Sequence, residues 1–92
     1  MKILPENVTV YKRTDSFTEE TVPPGLLKEH NTKENVWAKL NVEKGKLNYV
    51  ITEPGEEEET MLTAGKYVII SPQQHHHVQI NGKVVFHLEF IK

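Results

Sequence analysis

Apolar residues along this chain recur at every second position, in short runs. Val36, Ala38, Leu40 and Val42 fall on one side of an extended strand, with Lys39 and Asn41 on the other. Leu47, Tyr49 and Ile51 then share a face opposite Asn48 and Thr52. Lys44-Gly45 separates the two runs, so the pattern predicts two strands joined by a glycine turn, a hairpin. Near the end, Val84, Phe86, Leu88 and Phe90 alternate with Val85, His87, Glu89 and Ile91, which makes Lys83 to Lys92 a last strand.

The remaining segments are shorter. Tyr67-Val68-Ile69-Ile70 has high β propensity and breaks at Ser71-Pro72; the chain resumes as Val78-Gln79-Ile80 before an Asn81-Gly82 tight turn. Val8 to Tyr11 is a further β-prone run. A helix over Ser16–Thr21 would be too short to stand alone. Gly25 to His30, between Pro23-Pro24 and Asn31-Thr32, reads as a short strand ending in a loop. Glu53 to Thr60 is a connection whose Glu56–Glu59 run is a solvated hairpin tip. Neither a repeat nor a linker interrupts the 92 residues, so residues 1–92 are expected to form one all-β domain, an antiparallel sandwich or barrel.

Composition narrows the chemistry. A net charge of −2 without a Lys/Arg cluster argues against nucleic acid as a partner. With no cysteine, disulfides and thiolate metal sites are excluded, leaving His, Asp and Glu as ligands. Pro5 and the polar residues after it interrupt any secretory h-region, and no apolar run reaches membrane-spanning length. A soluble cytoplasmic protein is the expectation. The 37% hydrophobic content suits a surface-rich small barrel, or one that buries more surface by dimerising.

Three consecutive histidines, His75, His76 and His77, follow the proline break. Strand parity places His76 on the face of Val78 and Ile80, so if that face is interior His76 points inward, whereas His77 goes with Gln79. An imidazole inside an apolar interior must be hydrogen-bonded, neutral or metal-bound. His30 sits on the segment before the first central strand, which a rolled sheet can bring beside His76. Two imidazoles, a carboxylate and water would make an open N/O metal site. Glu89 is the nominated carboxylate, with His87 on the same face, although Phe86, Leu88 and Phe90 look like the inward side of that strand. No nucleophile elbow, phosphate loop or dinucleotide fingerprint is present.

Asn41 to Leu47 resembles the strand–turn–strand centre of cupins. Gly65 through His76 resembles the second cupin motif, a glycine followed by a P-x-G-x-x-H-like segment, with His76 at the motif histidine when counted from Gly65. More narrowly, LPENVTVYKRT, VPPGLLKEHNTK, VWAKLNV, ISPQQHHHV and FHLEF together resemble the TehB/YeaR-like cupins of tellurite-resistance proteins. The resemblance implies a conical antiparallel β-barrel, the double-stranded β-helix or jelly roll, commonly a homodimer. It implies metal-binding positions at His30 and His76, so the expected site is a divalent ion (zinc, iron, nickel or manganese) held by these two, with the nominated Glu89 or water completing the shell. The implied function is a metal-binding module in oxyanion or metal stress, with a small molecule or oxyanion as possible ligand. The alternatives are a cupin metalloenzyme, a small oxygenase or isomerase, and a metal-free dimeric ligand-binding module. Thr32 stands where the first cupin motif has its second histidine, and Ala38 where it has its glutamate. The methyltransferase half of the tellurite-resistance proteins has no counterpart in these residues.

Overall fold

The computed structural model describes residues 7–28 and 32–92. Its seven strands are β1 (Val10–Arg13), β2 (Phe17–Thr18), β3 (Trp37–Ile51), β4 (Glu58–Thr63), β5 (Tyr67–Ile70), β6 (His76–Gln79) and β7 (Val84–Ile91). All pairings are antiparallel.

The organising element is β3. The sequence predicts a hairpin around Lys44-Gly45, but the backbone runs straight through as one 15-residue strand. Its first half pairs with β5 and β7, its second half with β4 and β6. A bulge between Val42 and Lys44 explains the difference. One extra residue moves the inward face from the even positions Ala38, Leu40 and Val42 to the odd positions Leu47 and Tyr49, all buried. Gly45 lies beyond that bulge at φ +74°, and a Cβ there would collide with the Lys83 carbonyl oxygen. Glycine here permits a bend and a close approach of β7, where the sequence suggested a reversal.

Bending β3 folds the sheet on itself. One layer is β1 and β2 on β7, then the first half of β3, then β5; the other is β4, the second half of β3, and β6. Side chains from both layers form a single core that includes Leu40, Val42, Leu47, Tyr49, Ile70, Val78, Phe86 and Leu88. Phe86 is wholly buried, its ring edge-on to Phe17 with centroids 5.7 Å apart.

Three further expectations change. The Asn81-Gly82 segment is no hairpin turn, because β6 pairs only with β3 in one layer while β7 lies in the other; the segment crosses between layers. Pro24 to Leu27 forms a 3-10 turn where the sequence predicts a short strand. Consecutive prolines cost that segment backbone donors and favour a tight turn over a ladder. Glu58 and Glu59, expected in a loop, open β4 opposite Ile51 and Val50, and their side chains remain exposed. The hairpin of this region is therefore β3–β4, closed by residues 52–57. Among the described residues no helix is long and apolar enough to cross a membrane.

Candidate functional site

Between the two layers lies a cavity of about 320 Å³. Its floor comes from the inward positions of four strands: Ala38 and Leu40 of β3, Ile70 of β5, Val78 of β6, and Leu88 and Phe90 of β7. His76 is the one imidazole on this wall among the described residues. Its place follows from alternation along β6, where His76 and Val78 are both buried and Gln79 is exposed.

The loop ahead of β6 fixes His76. Pro72 and Gln73 turn the chain, Gln73 adopting φ +60°, the positive value a type II turn requires at its third residue. Gln74 N–H returns to the Ser71 carbonyl at 3.3 Å. Thr32 clamps the same loop, its hydroxyl donating to the Ser71 carbonyl at 3.4 Å and accepting Gln73 N–H at 3.0 Å. His75 N–H donates to a Glu53 carboxylate oxygen at 3.1 Å. The Nδ1 of His76 lies 2.7 Å from the Gln74 carbonyl oxygen. A carbonyl only accepts, so Nδ1 carries the proton in this bond. The ring also lies 5.6 Å, centroid to centroid, from that of Tyr49. Burial, with the charge of Glu58 adding to it, pushes the Tyr49 phenol well above its ordinary pKa, so it stays neutral.

The cavity rim is polar and cationic. Tyr11 and Lys12 come from β1, Thr32 and Lys33 from the segment entering β3. In a regular strand Tyr11 and Lys12 would face opposite ways; a register shift between Val10 and Lys12 accounts for both reaching the cavity. Thr14 holds this strap to β7, its N–H donating to the Leu88 carbonyl at 2.9 Å and its hydroxyl accepting Leu88 N–H at 3.0 Å. The segments that carry these four rim residues belong to the family resemblance, but only the fold brings the four together at one rim.

Of the expected metal ligands, His76 lines this cavity and Glu89 does not. Glu89 occupies the outer face of β7, opposite Leu88 and Phe90, where its carboxylate accepts Asn41 Nδ2–H at 3.0 Å. His87, on the same outer face, donates Nδ1–H to Glu43 at 2.8 Å, and the Ser16 hydroxyl donates to the same oxygen at 2.6 Å. These two bonds, Ser16 first, hold the Glu43 carboxyl below its ordinary pKa. His30 lies outside the described residues. Among the described residues no three His, Asp or Glu side chains converge as a metal cage would need. A second hollow near Val22, Leu27 and Ile80 includes Glu19, which already accepts Val84 N–H at 3.0 Å.

Comparison with known proteins adds the relationship. The model of the TehB-like domain matches residues 12–88. Over 72 residues the chain is 36% identical to the probable S-adenosyl-L-methionine-dependent methyltransferase TehB of Haemophilus influenzae (strain ATCC 51907), covering 75% of this chain and 25% of that protein. The chain thus spans about a quarter of the length of the curated relatives it matches. The crystal structure of Haemophilus influenzae TehB superposes with a TM-score of 0.81 at 31% identity, over 91% of this chain and 31% of that one. A structure from Escherichia coli (strain K12) gives 0.88 at 21% identity, over 100% and 97% of the two chains. The FeII HppE structure (TM-score 0.63, 15% identity, 82% of this chain and 40% of that) and the Drosophila melanogaster CENP-C cupin domain (0.60, 19%, 89% and 54%) share the fold alone. The fold is the cupin-type antiparallel β-barrel that the sequence led us to expect.

Proposed function

Because this chain belongs to the TehB-like domain family, we propose that it is a ligand-binding cupin module whose interlayer cavity holds a small molecule. The observation that supports this most is the wall itself. The buried imidazole of His76, held by the Gln74 carbonyl, stands on a floor that is otherwise hydrocarbon among the described residues, within a volume at the lower end of the range for small-molecule sites. Kinship to TehB supports a place in oxyanion or metal stress, with the module capturing an organic molecule made or modified under that stress. Methyl-resolved NMR during a screen of small organic fragments tests the site. Shifts concentrated on Leu40, Ile70 and Leu88 are expected; shifts confined to surface residues would remove the cavity from consideration.

A second reading, a metal centre, is supported by one feature. The bond from Nδ1 of His76 to a carbonyl is the outer-shell arrangement that orients metal-ligating imidazoles, and one fold neighbour is FeII HppE. The described residues supply no second ligand, since Glu89 faces away. His30 would have to provide it. Elemental analysis of the purified protein beside His30→Ala and His76→Ala separates the readings. Near-stoichiometric zinc, iron, nickel or manganese, lost in both variants, would replace the metal-free reading. No metal after incubation with each ion would retire the metal centre.

A further inference from the structure

The carboxylates of the sheet that forms the cavity face away from it, as does Lys39 of β3. Acids on β3 and β7, Glu43 and Glu89, sit on the outer face and are engaged there by Ser16, His87 and Asn41. No carboxylate lines the cavity among the described residues, whereas Lys12 and Lys33 both do. Among those residues neither lysine side chain has an ion-pair or hydrogen-bond partner, in a molecule whose net charge is −2. Two lysines from separate segments therefore line a hydrocarbon hollow with no carboxylate beside them in its wall among the described residues.

Such a hollow selects by sign and by polarity. Cations beside a low-dielectric wall concentrate anions, and lysine stems cover apolar surface while the charged heads stay wet. An inorganic oxyanion would meet the ammonium groups, yet it would have to shed hydration to go deeper and would gain nothing from Leu40, Ile70 or Leu88. A neutral hydrocarbon would fill the floor and leave both charges unused. A molecule carrying both features uses both parts of the wall.

We propose that the cavity takes a small organic acid, a compact ring or branched alkyl body bearing one carboxylate, with the body on the floor and the carboxylate between Lys12 and Lys33. This rests on the small-molecule reading above and names its ligand class.

The test keeps the ring constant and changes the charge. The full chain is titrated with benzoate, benzyl alcohol and benzylamine, and in parallel with inorganic phosphate and tellurite, following heat and the Leu40 and Leu88 methyl resonances. Benzoate should bind best, benzyl alcohol about ten-fold more weakly, and benzylamine not at all. Lys12→Gln and Lys33→Gln should each weaken benzoate about five-fold and leave benzyl alcohol unchanged. Raising salt should weaken benzoate alone. If benzyl alcohol matches benzoate, or the lysine variants bind benzoate normally, the acid assignment is overturned while the cavity remains a small-molecule site. Tighter binding of phosphate or tellurite would overturn it in favour of an inorganic anion. No shift at either methyl with any probe at millimolar concentration would overturn the cavity reading and this assignment together.

Discussion

The two faces of the β3–β7 pair make the instructive contrast in this molecule. The outer face carries Asn41, Glu43, His87 and Glu89, and its polar groups answer one another: Ser16 and His87 meet on one oxygen of Glu43, and Asn41 meets Glu89. The inner face carries Ala38, Leu40, Phe86 and Leu88, with the cavity and its cationic rim beyond. Acid, base and hydroxyl stand together on the outer face, yet they are consumed in holding the N-terminal strap to the sheet. Chemistry-bearing residues in proximity are therefore poor evidence of a site when each already has its partner. The inner face has fewer polar groups, and the lysines on the cavity rim beyond it have charge to offer.

The sharpest break should come from Phe86→Ala. Deleting a wholly buried aromatic ring that also packs edge-on against Phe17 should cost about 3–5 kcal/mol in a denaturant melt. A loss below 1 kcal/mol would mean the inner face is less tightly packed than described. Next is Ala38→Leu, which extends a floor residue into the cavity. Benzoate binding should fall by about ten-fold or more while the chain still unfolds cooperatively, because the added carbons occupy space already present. Unchanged binding would place the ligand elsewhere.

On the outer face the effect should appear in the pH profile. Hydrogen bonds from Ser16 and then His87 depress the folded-state pKa of Glu43. A carboxylate with a depressed folded pKa stabilises fully above its unfolded pKa, and that stabilisation is lost as pH falls through the folded value. Stability should therefore decline on acidification below the ordinary carboxylate range. Glu43→Gln should flatten that acid limb and leave cavity binding alone, as read from thermal melts across pH. An unchanged limb would deny the network its role. The smallest effect is expected from Glu89→Gln. Surface substitutions of this kind change stability by about 0.5 kcal/mol or less, and neither metal content nor benzoate affinity should move. A change in metal content would bring Glu89 back as a ligand despite its orientation.

Much of this was readable from side-chain alternation. The period of two gave the all-β class, the inward face of β7 and the inward direction of His76, because a pleated strand allows only two sides. The bulge left a trace too. Apolar positions change from even, Ala38 to Val42, to odd, Leu47 to Ile51, and a continuous strand accommodates that slip only with an inserted residue. Glycine punctuation alone misleads at Gly45, since positive φ serves a bend as well as a reversal. The β6–β7 connection could not be read locally, because which strand each pairs with depends on where β3 bends.

By itself the chain determined that it is built of strands, which residues share a face, and that His76 lies on the face of Val78, all set by interactions over a few residues. Alternation also turned Glu89 away from the inward face of β7; only the tertiary structure decided that Lys12 and Lys33, far apart in sequence, share the rim of one cavity. Alternation assigns a side to each residue along one strand. The bend at β3 and the shift in β1 decide which sides meet across the barrel, and that depends on the folded pairing of distant segments.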